Sequence, residues 1–585
     1  MPDQRTGVHP EPPPVVLRDY ALLADGERGA LVDPHGGIVW MCAPRWDSDA
    51  VLSALLGGAG AYTVGPVDPW HVWGGHYEEG TLIWRSRWMT RAGAIECREA
   101  LAFPGDPHTA VLLRRIEAID GPARVRVALD VRARFGACAM ENLSCHDGVW
   151  EARSGGLYVR WSGAGDARSD LALTLTVPHG GHHDLVLEVS DRPFEQPASP
   201  ACRLWEGTEN QWRGKVPKME GVLGGRDARR ACAVLLGMTS RTGATVAAAT
   251  TSLPERAEAG RNYDYRFSWI RDQCYVGHAA AAVGPEAFPL LDAAVGFIAE
   301  RVLTDGPQLR PAYTLDGGIV PDERELPQLL GFPGGGNRVG NGINDKFQLD
   351  ALGEALLLFA AAAEHGRLEG HHWRAAECAA AAIERRRDDP ETGIWELDRR
   401  RWTHSQLICS AGLRAVARAG AAGPQAARWT ALADSLLARA ASDCVHPSGR
   451  WQRSPGDEKA DAALLLAAIR GALPADDPRS VATLRAVRED LTQDGYVYRF
   501  RHDDRPLGKA EGAFLLCNFF TALATRQQGE EAEARGYFER ARAACGPAGL
   551  FSEEYDVGQR QLRGNLPQAF VHALLMETGA RLSAT

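Results

Sequence analysis

Apolar and polar positions along the chain follow two different periods. Between about residues 15 and 189 they mostly alternate, as in Leu82-Ile83-Trp84-Arg85-Ser86-Arg87-Trp88, Arg124-Val125-Arg126-Val127 and Leu185-Val186-Leu187-Glu188-Val189. A period of two sends successive side chains to opposite faces of a strand. Gly and Pro clusters punctuate these runs. Ala30-Leu31-Val32, then Asp33-Pro34-His35-Gly36-Gly37, then Ile38-Val39-Trp40 reads as a hairpin. Many short strands separated by turn signals predict a β-sandwich.

From about residue 262 onward the pattern becomes helical. Runs rich in Ala, Leu, Glu and Arg end at Gly or Pro, and the clear ones cover 347–365, 373–387, 409–419, 425–441, 459–472, 512–527 and 530–544. In 512–527, residues Phe514, Leu515, Cys517, Phe519, Phe520 and Leu523 spread over most of the helix surface, which marks an inner helix. Short loops between consecutive helices mean antiparallel hairpins. No repeat of fixed period is present, which argues against a solenoid. A closed α/α barrel fits better, because its inner helices aim their ends, and the loops there, at one shared pocket. The expected division is a β-sandwich over 1–205, a linker over 206–255 and a helical barrel over 256–585.

Composition narrows the partners. The 585 residues carry a formal net charge of −10, which disfavours nucleic acid, since phosphate binding needs a basic face. No apolar run approaches the roughly 18 residues of a membrane helix, and the start MPDQRTGVHPEPPP has no apolar signal core. The 12 cysteines form no CxxC pair and read as reduced thiols, so a cytoplasmic location is expected. Sixteen Trp against 12 Tyr suits flat apolar sugar faces as well as core.

No Walker loop, HExxH or GxSxG is present. His179-Gly180-Gly181-His182-His183-Asp184 reads as a polar turn before a strand rather than a metal site. Gly334-Gly335-Gly336-Asn337 lacks the Lys and Ser/Thr of a phosphate cradle. Neither a metal nor an organic cofactor is expected. Three connections in the helical half place acids beside aromatics: 261–272, with Tyr263-Asp264-Tyr265 and Trp269-Ile270-Arg271-Asp272; 388–396, ending in Ile394-Trp395-Glu396; and 549–556, with Ser552-Glu553-Glu554-Tyr555. Two carboxyl groups, sugar-stacking rings and Arg/Asp grips on hydroxyls are what glycoside hydrolysis requires.

At these residues the chain resembles glycoside hydrolase family 15, the glucoamylase, glucodextranase and bacterial trehalase family. The resemblance is nearly full length. It begins at Asp19-Tyr20-Ala21-Leu22-Leu23, Gly36-Gly37-Ile38-Val39-Trp40 and Pro44-Arg45-Trp46-Asp47. It continues through Ser252-Leu253-Pro254-Glu255, Gln348-Leu349-Asp350, Gly393-Ile394-Trp395-Glu396, Glu511-Gly512-Ala513-Phe514 and Gly564-Asn565-Leu566-Pro567-Gln568-Ala569-Phe570. It implies an N-terminal β-sandwich followed by a C-terminal (α/α)6 barrel, and inversion at a non-reducing α-glucosyl end. It implies Glu396 as general acid and Glu553 as general base. Tyr265, Trp269, Arg271, Asp272, Trp395 and Glu554 are the implied substrate-binding residues, with Tyr265 near the attacking water. The chain departs from the family at His404-Ser405-Gln406, where a Lys is expected in place of Gln406, and at Ser410, where a Trp is expected. It departs again at Gly336 and at Gly342-Ile343-Asn344-Asp345. Loss of a cation and a Trp near the acid would alter the leaving-group subsite.

The leading expectation is an exo-acting inverting hydrolase of α-gluco-oligosaccharides, with trehalose as the alternative substrate. A non-catalytic sugar-binding module on the same fold is the third reading, and the presence of both Glu396 and Glu553 argues against it. Glu553 also argues against a phosphorylase, which would dispense with the second carboxylate.

Overall fold

A computed structural model describes residues 14–256, 261–420, 423–503 and 505–584. The N-terminal part is a sandwich of two antiparallel sheets. One orders Ala21–Ala24, Gly29–Val32, Gly37–Cys42, Ala61–Pro66, Ala123–Asp130 and Ala172–Val177, with Ala50–Leu52 beside Gly37–Cys42. The other orders Met140–His146, Val149–Ser154, Leu157–Ser162, His182–Ser190, Thr109–Asp120, Gly93–Leu101, Trp84–Thr90 and His71–Tyr77. The hairpin read from the sequence is present, with Leu31 opposite Trp40. Its turn is closed by Asp33 Oδ1, which accepts from the N–H groups of His35 and Gly37 at 2.8 Å each. Gly36 sits at φ +79°, a conformation that side chains with a Cβ rarely adopt.

Among the described residues thirteen α-helices follow. Helix α1 (Ala201–Lys215) lies on the second sheet, where the Trp205 indole donates to Asp184 at 3.1 Å. The barrel then alternates outer and inner helices. The outer ones are α2 (Gly225–Met238), α4 (Phe288–Asp305), α6 (Gly370–Arg386), α8 (Gly423–Asp443), α10 (Pro478–Asp490) and α12 (Glu531–Arg542). The inner ones are α3 (Ile270–Val283), α5 (Leu349–Glu364), α7 (Thr403–Ala419), α9 (Leu466–Ile469, after a 3-10 turn at Ala462–Leu465), α11 (Leu515–Gln527) and α13 (Ala569–Ser583). Each inner helix packs on the next, and α13 packs on α3, so the ring closes as an (α/α)6 barrel. The stretch expected as a linker is therefore helical for much of its length, and α2 packs on α13 as part of the barrel.

The two halves meet at the loop that enters α3. Arg266 is buried, pairs with Asp264 at 2.7 Å, and donates to the Ser48 carbonyl of the sandwich at 2.6 Å. The Trp40 indole donates to the Ala249 carbonyl at 2.8 Å. No helix among the described residues is long and apolar enough to cross a membrane.

Candidate active site

Loops that lead into the inner helices surround a cavity of about 320 Å³. The three acid-and-aromatic connections converge there. Tyr265, Trp269, Arg271, Asp272, Trp395, Glu396 and Glu553 all line it. Glu554 does not. It is fully buried behind the wall, and its Oε2 accepts the Gly512 N–H at 2.7 Å. Glu553 sits at a bend just before the strand Glu554–Asp556, and there Glu553 faces the cavity while Glu554 turns into the wall.

Glu396 sits on a tight turn between α6 and α7. Its N–H donates to the Gly393 carbonyl at 3.1 Å and the Leu397 N–H to Thr392 at 2.8 Å. Glu396 itself has φ +57°. A non-glycine residue there is strained by about 1–3 kcal/mol and persists only where its surroundings over-determine it. Two donors hold its carboxylate. The Trp269 indole donates to Oε1 at 2.8 Å and the Lys346 ammonium to Oε2 at 3.1 Å. Trp269 is fixed in turn by pairing with Ala312 at the start of α3. Trp395 turns its ring against Phe514 and donates to Asp461 at 2.9 Å.

Glu553 stands on a different support. The Tyr265 hydroxyl lies 3.3 Å from its Oε2 and 3.2 Å from Glu255 Oε1. One hydroxyl hydrogen cannot serve two carboxylates at once, so a further proton between them is favoured. Burial, then the charge of Glu255, pushes the Glu553 carboxyl well above the usual carboxylate range, with Arg499 and Arg271 opposing. Carboxylate oxygens of Glu255, Glu553 and Glu554 lie within 4.8 Å of one another, a density that could hold a cation. Arginines already face this group: Arg261 pairs with Glu255 at 2.9 Å and with Glu511 at 3.1 Å, and Arg499 with Glu511 at 2.7 Å. Replacing Glu255 by Gln removes the negative neighbour. Glu553 should then lose its proton at lower pH, and the acid limb of kcat/KM should move down. An unmoved limb would show that the Glu255 charge does not act on the group that titrates there.

Arg271 and Asp272 open α3. The guanidinium donates to Asp272 Oδ1 at 2.8 Å and to the Ile394 carbonyl at 2.6 Å. Asp272 is 2% exposed and its Oδ2 has no partner. A buried, unpaired carboxylate oxygen on a cavity wall is an acceptor for a ligand hydroxyl. Asp272→Asn should cost on the order of 1.5–3 kcal/mol in kcat/KM. Near wild-type kcat/KM would reduce the pair to a structural contact.

Comparison with known proteins then decides the family. Residues 231–580 match the glycosyl hydrolases family 15 description, and residues 4–165 match a trehalase-like N-terminal domain. The chain belongs to glycosyl hydrolase family 15. It is a glycoside hydrolase. A protein named trehalase from Mycolicibacterium smegmatis is 30% identical, covering 97% of this chain and 91% of that one. Another named trehalase, from Thermoplasma acidophilum, is 26% identical over 94% of this chain and 98% of its own. A bacterial glucoamylase structure with acarbose superposes with a TM-score of 0.67 at 13% identity, covering 99% of this chain and 96% of that one, and so shares the fold.

Two departures from the family pattern lie outside this family 15 cavity. Gln406 Oε1 accepts from Arg439 at 2.6 Å, and the Ser410 hydroxyl donates to the Ala433 carbonyl on α8 at 2.9 Å. The expected loss of a cation beside the acid is also corrected, because Lys346 supplies one from the loop before α5. The sequence reading missed Lys346, Glu255 and Arg499 as site residues. Glu255 closes a motif that carries the resemblance, and Lys346 follows directly on the unusual 342–345 stretch, so both had a signal. Arg499 had none. The His179–Asp184 cluster is a turn leading into His182–Ser190. The His179 ring accepts from the Gly121 N–H at 3.1 Å, and Asp184 pairs with Arg115 at 2.8 Å.

Proposed function

We propose that this family 15 enzyme hydrolyses α,α-trehalose with inversion, Glu396 acting as general acid and Glu553 as general base. The observation that carries the substrate is near full-length similarity to proteins named trehalase, reaching 30% identity over 97% of the chain. It reverses the order given by the sequence, in which α-gluco-oligosaccharides come first. A cavity of about 320 Å³ suits a disaccharide-sized ligand.

The geometry supports the roles. Trp269 holds Glu396 and Tyr265 reaches Glu553, and these two rings meet edge-on with centroids 5.5 Å apart. Two aromatic supports between the carboxyl groups fit the wide spacing of about 6.5–9.5 Å that leaves room for a water in an inverting site. In this reading Asp272 and Arg271 grip the terminal glucose, Trp395 stacks on a sugar face, and Glu396 protonates the bridging oxygen. Glu553 takes the proton of a water held beside Tyr265, and that water attacks the anomeric carbon from the opposite face.

Proton NMR of the first turnovers tests both parts. Inversion of α,α-trehalose releases one β-glucose and one α-glucose together, whereas retention releases α-glucose only. In a panel of trehalose, maltose, isomaltose and maltotriose, trehalose should show the highest kcat/KM. Preference for maltotriose or isomaltose would return the α-gluco-oligosaccharide reading.

A further inference from the structure

Glu391 lies five residues before Glu396, 1% exposed and outside the cavity wall. Its carboxylate anchors the turn that carries the acid. Oε2 accepts the Gly393 N–H at 2.6 Å and the Leu349 N–H at 3.5 Å, and Oε1 accepts the Trp402 N–H at 3.4 Å. The Glu391 backbone pairs with Arg400 in both directions at 2.9 Å. Gly393, at φ +67°, offers its carbonyl both to the Glu396 N–H and to the Gln348 amide at 2.7 Å. The buried Glu391 carboxyl group is thus one of the anchors of the peptide turn that aims the Glu396 side chain, beside the Gln348 amide on Gly393 and the Arg271 guanidinium on Ile394.

Among the described residues no Lys or Arg side chain pairs with that group. The charge that acts on it most is Asp350 on α5, fully buried, with the Ser405 hydroxyl of α7 beside both. Ser405 Oγ is 3.5 Å from Asp350 Oδ1, and Asp350 Oδ2 has no partner. Around the pair stand Glu354 from α5, His404 and Cys409 from α7, Arg271 from α3, and Arg400 and Arg453, each with its guanidinium 5.3 Å from the centre of the Trp402 ring. Glu354 adds negative charge, while Arg271 is committed to Asp272 and Ile394. Burial, then the charge of Asp350, pushes the Glu391 carboxyl upward. Burial also raises Asp350, with Arg271 opposing.

We propose that Glu391 is the positioning residue for Glu396, and that Glu391 and Asp350 work as a pair that keeps one proton between them. The proposal rests on the reading of Glu396 as the acid. With one proton the pair is a carboxyl facing a carboxylate across a hydroxyl. When that proton leaves, two buried anions repel and the Gly393 anchor loosens, so turnover that needs the acid falls at alkaline pH.

The test compares trehalose with α-glucosyl fluoride, whose leaving group needs no proton. Glu391→Leu removes the anchor and should lower kcat on trehalose about 10²-fold with little change in KM, the scale expected of a small misplacement of a catalytic group. Turnover of the fluoride should fall far less. Glu391→Gln keeps an acceptor for Gly393, so it should recover most of that loss and move the alkaline limb of kcat to higher pH. Asp350→Asn should move the same limb the same way. Equal losses on both substrates in Glu391→Leu, or an alkaline limb unmoved in both amide variants, would overturn the proposal. If Glu396→Gln itself lost both substrates equally, the acid assignment would fail and the proposal with it. A selective loss in Glu396→Gln beside an equal loss in Glu391→Leu would overturn the positioning role alone.

Discussion

Glu553→Ala is expected to lose about 10²–10⁴-fold in kcat on trehalose, the usual worth of general-base assistance. Azide needs no base to attack, and it fits the space a carboxylate leaves. It should restore part of the rate and yield β-glucosyl azide. Glu554→Ala should keep far more turnover, because Glu554 faces the Gly512 N–H and not the cavity. Rescue of the Glu554 variant and not the Glu553 variant would move the base by one residue. The same residue bears on stability. Its carboxyl is raised in the folded protein by burial and by Glu255, from an ordinary value of 4.5. A raised carboxyl favours the fold only below the unfolded value, and that contribution is lost as pH climbs toward the folded value. Glu553→Gln should therefore melt at a higher temperature than the parent near neutral pH.

Glu396→Gln should remove most turnover of trehalose, whose departing glucose needs a proton, and much less turnover of α-glucosyl fluoride. General-acid assistance is worth about 10²–10⁴-fold, and the difference between the two substrates should approach that range. Gln keeps one acceptor oxygen, for either Trp269 or Lys346, and the turn itself is held by the backbone bonds of Glu396 to Gly393 and Leu397 to Thr392, so the variant keeps the turn and removes the proton. Equal losses would show that Glu396 does not supply it.

The sandwich was legible because half-buried strands print their period directly, as the hairpin around Asp33 shows. The barrel was legible where helices are rich in apolar residues. It was obscured where they bury polar ones. The first turn of α7 hides Thr403, His404, Ser405 and Gln406 in the interior, so periodicity starts that helix at 409 instead of 403. In α9 most of the expected run is a 3-10 turn and one short helix. The two cavity carboxylates, Glu396 and Glu553, could be picked out because acids beside aromatics in a connection are unusual. Their partners were harder to find: Lys346 was signalled only by the unusual stretch before it, and Arg499 reaches the cavity from a loop distant in sequence with no signal of its own. The Trp excess misled in part. Trp40, Trp46, Trp84, Trp88, Trp161 and Trp212 are fully buried, and among the Trp residues Trp269 and Trp395 line the cavity.

Ring closure gives the barrel an order of assembly. Helix α13 packs on α2, α3 and α11, and Glu577 on α13 is fixed by Arg470 at the end of α9, at 2.9 Å. During synthesis the sandwich, with its mostly local strand pairings, can form first, and its Ser48 carbonyl then waits for Arg266. The apolar faces of α2 and α3 emerge early and have no lasting cover until α13 follows. Contacts of such long sequence separation form late and leave intermediates sticky. A nascent chain that has just completed α7 already contains the Glu396 turn, yet it lacks Glu553, the proposed base, and a closed wall. On the proposed roles, such a chain stays inert until α13 docks on α3 and closes the barrel.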